Sequence, residues 1–372
     1  MAEDYITPPK RKVLVIGNGF DVALGLPTRY IDFMEFVCVE RPIELVRSVK
    51  SGNTPEEKYK KFFKAESSTI LEEEISRFES LRRGNFWAQY YRSFQTKIKG
   101  WIDLEREMIP VLRFFAWLFE QEIRMHGDGR GDTASITTLD EDKYRLAGIL
   151  PKFISRQGAS GGIKPGYNMD VRSEYCDKQY GIRKDKIVKD LIKDLDNFIE
   201  MFRIYLREFV CNAERDQNLI IENLKADRII NFNYVQSEMF LPNLKDAETI
   251  HVHGDTTNAN NMVLGVNEVP NDPKGDFLYF TKSFQRIKIK ANPKYREFWE
   301  GPFDLTFFGH SLDMTDIDII KPLYEHADHV KVFYYKDRDY EDKILNLIKM
   351  IGIKRIEEDN YSGRLELISS KS

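Results

Sequence analysis

Cysteine is scarce in this chain. Cys38, Cys176 and Cys211 stand far apart among its 372 residues. They offer neither a disulfide framework nor paired zinc-ligand spacing, and they suit a reducing compartment. Long apolar runs are missing as well. The longest, at 114–119, falls far short of the ~20 residues that a membrane helix needs. The N-terminus, Met1 to Lys12, is polar and lacks the apolar stretch of a secretory signal. No sign of charge dominates: 56 Lys and Arg against 60 Asp and Glu leave a net charge of −4. A global attraction to nucleic acid would want a strong positive balance. No repeat or low-complexity tract is visible. These absences lead us to expect a soluble cytoplasmic protein with no membrane partner. Its hydrophobic content of 42% allows a real core.

What is present begins with Val13-Leu14-Val15-Ile16, a short continuous apolar run rich in β-branched residues. It reads as a buried parallel strand. Gly17-Asn18-Gly19 follows, then helical spacing over 22–37. From about 54 to 125 the pattern is helical. Trp87, Tyr90, Tyr91, Phe94, Ile98, Trp101 and Ile102 recur at three- and four-residue steps along one face. Pro110 should kink or restart that helix. The stretches 126–140 and 157–170 are rich in Gly, Ser, Asp and Thr and read as mobile loops. Helical spacing returns over 184–211. Strands are expected at 228–232, 249–253, 261–265, 304–309 and 330–335, with helices at 316–327 and 340–351 between or after them. The fold class is therefore α/β: a Rossmann-like, mostly parallel sheet built from 1–37 and 221–372, with a large all-helical insertion at 38–220.

The chemistry-bearing residues fall at strand ends. Ligands of open α/β sheets bind at the carboxyl ends of their strands. Four such ends carry small, amide, imidazole or hydroxyl groups: Gly17-Asn18-Gly19-Phe20-Asp21, Asn231-Phe232-Asn233, His251-Val252-His253-Gly254 and Gly309-His310-Ser311. Together they suggest one nucleotide pocket. The glycine turn offers close backbone approach and free N–H groups for a pyrophosphate. Yet Val22 stands where the third glycine of the dinucleotide fingerprint would be, which argues against an ordinary dehydrogenase. A plain chain reversal would need the same turn, and Asp21 would then simply cap the next helix. Asn233, nearer the strand end than Asn231, would orient a water or grip a ribose hydroxyl. One of the two histidines would serve as a pocket base, since imidazole titrates near neutrality. Gly254 would let a ligand come close. Asp313 and Asp316 make the later turn a poor phosphate site; an acid there would hold ribose hydroxyls or merely stabilise the helix start. Glu105 falls 18 residues after Trp87, about five turns at ~3.6 residues per turn. That register puts its carboxylate in line with the aromatic stripe, where burial is costly unless the group is paired or functional. Lys282, Arg286, Lys288, Lys290, Lys294 and Arg296 read mainly as a solvated face, with RNA contact as the alternative.

At these residues the chain resembles the bacteriophage abortive infection AbiH family. The matching stretches are Ile16-Gly17-Asn18-Gly19-Phe20-Asp21 with Gly25-Leu26-Pro27-Thr28, Phe232-Asn233-Tyr234, His251-Val252-His253-Gly254, Leu264-Gly265-Val266 and Gly309-His310-Ser311-Leu312 through Asp316. Trp101-Ile102-Asp103-Leu104-Glu105 matches within the insertion. Through that family the chain is remotely similar to the sirtuin-like (SIR2-like) NAD-binding fold. Gly17-Asn18-Gly19, Phe232-Asn233-Tyr234-Val235, His253-Gly254 and Gly309-His310-Ser311 stand where sirtuins carry their glycine turn, Asn-containing segment, His-Gly pair and Gly-Thr-Ser turn. The resemblance implies NAD as substrate or ligand; no metal is expected, since no third or fourth ligand lies near His251 and His253. It casts Asn233 as the ribose- or water-positioning amide and His253 as the base, with Glu105 a further catalytic candidate. Gly17, Asn18, Gly19, Phe20, Asp21, Gly254, Gly309, His310, Ser311 and Asp316 would line the cofactor site. Val235 replaces an Asp of the sirtuin pattern, and the four-cysteine zinc site is absent, which speaks against protein deacylation. The implied activity is hydrolysis of the nicotinamide–ribose bond. A nucleotide-sensing module and an RNA-directed effector are the alternatives. The insertion would cover the pocket, sense a phage-derived trigger or drive homo-oligomer formation.

Overall fold

The computed structural model describes residues 10–371, apart from 65, 94–100, 122–123, 128–131, 139, 161–165, 178–180, 258–260, 270–271, 273, 291–295 and 299. Its central sheet has six strands: β1 (Arg11–Ile16), β2 (Arg228–Asn231), β3 (Glu248–His251), β4 (Phe303–Phe308), β5 (His329–Tyr334) and β6 (Leu365–Ser369). All five pairings are parallel, in the spatial order β3-β2-β1-β4-β5-β6. This is the order of doubly wound sheets, and the winding reverses between β1 and β4. The apolar run of β1 explains its central place, because a strand covered on both faces needs no polar alternation. Val13 and Val15 face one hydrophobic layer. Leu14 and Ile16 face the other.

Seven helices matter for the site. They are α1 (Asn18–Ala23), α2 (Tyr30–Val37), α3 (Trp101–Phe119), α4 (Lys184–Tyr205), α5 (Lys282–Lys288), α6 (Ile317–His326) and α7 (Asp337–Ile351). The helix expected over 22–37 is broken into α1 and α2. Gly25 takes a φ of 72°, and Pro27 follows two residues later. Such a left-handed glycine ends a helix, and proline discourages its resumption. The α4 end holds this break, since Tyr205 Oη donates to the Pro27 carbonyl at 2.7 Å. Phe33 of α2 packs on Phe198, Phe202 and Tyr205 of α4. Ile317, Ile319, Ile320 and Leu323 of α6, with Leu347 of α7, cover the opposite face of the sheet. No helix among the described residues is long and apolar enough to cross a membrane.

Several expectations need correction. The insertion is not all-helical. Arg124–Gly127, Asp132–Thr138, Gly166–Val171 and Ile154–Ser160 form a four-stranded antiparallel sheet across the stretches read as loops. Their small and hydroxylated residues hide a period of two: Ala134, Ile136 and Thr138 are buried, as are Met169 and Val171. The segment 261–265 is not a strand. Met262 makes only an isolated bridge to Gly254. Helix α3 runs through Pro110 without a break in its assignment. The aromatic stripe is split between the separate helix Phe86–Ser93 and α3, and Phe94 and Ile98 lie outside the described residues.

Candidate functional site

The turns that follow β1, β2, β3 and β4 meet at one cavity of about 820 Å³, open mouth included. Gly17, Asn18 and Asp21 reach it from the first turn, and Asn233 from the second. His253 comes from the third, and Gly309, His310, Ser311 and Asp316 from the fourth. Glu105 of α3 and Phe202 of α4 close it from the insertion side. Three expected site residues do not line it: Gly19, Phe20 and Gly254.

The glycines have a different task from the one expected. A Cβ on Gly19 would lie 2.7 Å from Gly309 Cα, and one on Gly17 would lie 2.8 Å from His310 Cα. A Cβ on Gly309 would meet Phe20 N at 2.1 Å, and its φ is 69°. The β1 and β4 turns thus interlock backbone against backbone. Their N–H groups are engaged in that lock: Gly19 donates to the Gly309 carbonyl at 2.8 Å, Gly17 to Phe308 at 3.2 Å and Phe20 to Gly17 at 2.8 Å. Three donors of the expected pyrophosphate cradle, at Gly17, Gly19 and Phe20, are therefore already bonded within the protein. The Phe20 ring packs edge-on against Phe308 in the core. Gly254 is needed for its φ of 75° and for the Asn261 carbonyl, which a Cβ would strike. Asp21 caps no helix. Asn18 instead ties the turn to Thr28, its Nδ2 donating to the Thr28 carbonyl and hydroxyl, both at 2.9 Å.

Asp316 is the electrostatic centre of the cavity. Its Oδ1 lies 3.2 Å from His253 Nε2, 3.3 Å from Lys282 Nζ and 3.5 Å from Arg286 Nη2. Its Oδ2 is 3.8 Å from His310 Nε2. Lys282 Nζ also pairs with Glu105 Oε2 at 2.9 Å. Burial alone would push Asp316 up, but Lys282 and the neighbouring imidazoles outweigh it and hold the carboxyl well below the usual range. Burial would lower Lys282, but Glu105 and Asp316 raise it instead. Glu105 goes the other way: burial, reinforced by Asp316, pushes it up to about 7 against the pull of Lys282. Burial and the Lys282 charge push His253 down to about 4, and burial takes His310 to about 4 as well. Both imidazoles are therefore neutral at neutral pH. His253 Nε2 also stands 3.2 Å from Arg286 Nη2. It serves one neighbour at a time, donating to the carboxylate as N–H or accepting from the guanidinium by its lone pair. His310 Nδ1 accepts from the Leu312 N–H at 3.0 Å, which leaves its proton on Nε2 toward Asp316.

Lys282 and Arg286 do not form the solvated face expected of them. In the structure Lys282 is 2% exposed and both side chains turn inward. The signal was available in their spacing. Residues four apart share one helix face, and Thr281, which caps α5 by accepting from the Phe284 N–H at 3.3 Å, marks where that helix starts. Lys290 lies beyond the end of α5, and Lys294 is outside the described residues.

A second buried network sets the Asn233 amide. Asn231, at the end of β2, donates through Nδ2 to Glu238 Oε2 at 2.9 Å and accepts the Asn233 N–H through Oδ1 at 2.7 Å. Asn233 Nδ2 then donates to the Gly17 carbonyl at 3.0 Å, which orients Oδ1 away from that carbonyl. His251 stands between two acceptors, Glu238 Oε1 at 3.2 Å and the Asn233 carbonyl at 3.3 Å from Nδ1. Burial would lower its pKa, but Glu238 raises it above the ordinary value. His251 is thus a brace between Glu238 and the Asn233 carbonyl, and His253 is the histidine that lines the cavity. The same network reaches Asp21, which burial pushes up to about 7, with Glu238 adding to the rise and the Ser237 hydroxyl opposing it.

Comparison with known families matches residues 13–335 to the one described as bacteriophage abortive infection AbiH. No curated protein and no solved structure matches the chain.

Proposed function

The chain belongs to the bacteriophage abortive infection AbiH family, and from that premise we propose that its cavity binds NAD or a related nucleotide and hydrolyses the nicotinamide–ribose bond. The observation that carries this reading is the meeting of Asn233, His253 and Asp316 at the carboxyl ends of parallel strands, beside the reversal of winding, with Glu105 of α3 facing them. Cleavage of this bond passes through an oxocarbenium-like state, for which a nearby carboxylate is the natural stabiliser. Asp316, held ionised by its cationic neighbours, suits that role. The bond from ribose C1′ to the pyridinium nitrogen breaks with its electron pair going to nitrogen. Nicotinamide leaves neutral and needs no acid. Water then bonds to C1′ and gives up a proton.

The proton acceptor in this proposal is Glu105. A general base works best with a pKa near the operating pH, and Glu105 sits at about 7 where His253 sits at about 4. His253 acts here as a neutral hydrogen-bonding group rather than as the base first expected. Asn233, braced by Asn231 and His251, positions the water or a ribose hydroxyl. Loss of cellular NAD would then abort the infection.

Chromatographic assay of nicotinamide released from NAD tests this. Wild type should turn over, while Glu105→Gln and Asn233→Ala should fall by ~10²-fold or more. Variants that match wild type would refute the assignment. Binding of NAD without turnover would make the chain a nucleotide sensor.

A further inference from the structure

The expected phosphate cradle is filled by the protein itself. The N–H groups of Gly17 and Gly19 bond across to the Phe308 and Gly309 carbonyls, and that of Phe20 bonds back to the Gly17 carbonyl. At the β4 turn, the Leu312 N–H goes to His310 Nδ1, Asp313 to Ser311 Oγ at 3.4 Å and Thr315 to Asp313 Oδ1 at 3.1 Å. Charge points the same way. Among the described residues lining the cavity, three are carboxyls (Asp21, Glu105 and Asp316) and one is an amine, Lys282. That amine already holds two of the carboxyls. Asp21 is 1% exposed, and its Oδ1 is buried without a hydrogen-bond partner. A phosphate entering here would meet the Asp316 carboxylate and the unpartnered Asp21 Oδ1 in a low-dielectric recess, where repulsion is strong. A flat organic cation would meet carboxylates, with Phe232 and Tyr234 also lining the cavity.

From this charge balance we infer that the cavity selects the cationic N-ribosyl pyridinium end of its ligand and leaves phosphate outside. The inference rests on the nucleotide reading above and narrows it: a riboside is a sufficient ligand, and phosphate adds nothing to its affinity. Asp21 is the specificity-determining residue for the positive charge, since it lines the cavity, is 1% exposed and keeps an Oδ1 without a hydrogen-bond partner.

Calorimetric titration of the whole protein at neutral pH tests this with three probes: nicotinamide riboside, nicotinamide mononucleotide and the reduced, uncharged riboside. The oxidised riboside should bind as tightly as the mononucleotide to within about threefold, and at least about tenfold more tightly than the reduced one. Asp21→Asn should remove most of that preference, read as the ratio of oxidised to reduced riboside affinity falling to within about threefold of one. If that variant does not fold, Glu105→Gln should weaken the same preference. A mononucleotide that binds more than about tenfold tighter than the riboside would overturn the inference, and so would equal affinity for the oxidised and reduced ribosides. Nicotinamide release, followed in parallel, separates the two claims. Charge-selective binding without release would remove hydrolysis and keep the inference. If no probe binds, both claims fall.

Discussion

Glu105 and Asp21 are two carboxyls lining one cavity, and burial pushes both to about 7. They differ in their partners. Glu105 has Lys282 at 2.9 Å, whereas Asp21 Oδ1 has no hydrogen-bond donor. For Glu105 as base, the ionised form is the active one, so turnover should rise with pH through about 7. A pH profile of kcat should show that rise in wild type and lose it in Glu105→Gln. For Asp21 the consequence is stability. Its folded pKa lies above the unfolded value of ~3.9, so between roughly 4 and 7 the folded state binds more protons and stability falls as pH rises. Asp21→Asn should therefore stabilise the protein on the order of 2–4 kcal/mol at pH above about 7, and little at pH near 4. Thermal melts of both forms across this range would show it. Glu105 was legible from its register, but for an incomplete reason. The count from Trp87 crosses residues 94–100, which lie outside the described residues, and Trp87 stands on another helix. Glu105 is buried along with Leu104 and Met108 of the same helix, and its carboxylate meets Lys282 of α5 at the cavity. The spacing of Lys282 and Arg286 gave their shared helix face but not its inward direction, because a charge looks solvated until a fold supplies carboxylates for it.

The site-forming elements are two interlocked turns and one inward-facing helix. Gly309 combines a left-handed backbone with a contact that admits no side chain. Gly309→Ala should cost about 3 kcal/mol, and urea titration would measure it. A cost below about 1 kcal/mol would mean that the two turns separate easily, against the lock described here. Elements of this kind were partly readable. A run of four apolar residues ending in Gly-Asn-Gly left little choice for β1. The stretch 261–265 looked similar, yet its neighbour is the tight turn at Gly254, not a strand. The β6 strand went unread because only Leu365 of its five residues is fully buried, so its alternation is faint. The insertion sheet was hidden by Gly, Ser and Thr, residues that also build loops.

Across the whole molecule, the sheet supplies four strand ends and the insertion supplies Glu105, Phe202 and Leu206 to the same cavity. Sequence order placed the four ends in one neighbourhood through general α/β topology. No pattern along the chain could place the insertion over them, because packing between separate segments decides that. Function in the cell should then depend on both parts. Cells expressing the wild-type chain should resist a phage that triggers it, with NAD falling during infection. Cells expressing Glu105→Gln or Asp316→Asn should lose resistance and keep their NAD, with the chain present at similar levels by immunoblot. Resistance retained by both variants would place the defence activity elsewhere in the molecule.

The most direct measurement is a crystal structure of the Glu105→Gln protein soaked with NAD. Our account predicts the nicotinamide riboside end inside the cavity, a ribose hydroxyl within hydrogen-bond reach of Asn233 or Asp316, and the phosphates outside the Gly17–Gly19 turn. Nucleotide bound at another surface, with this cavity empty, would contradict it.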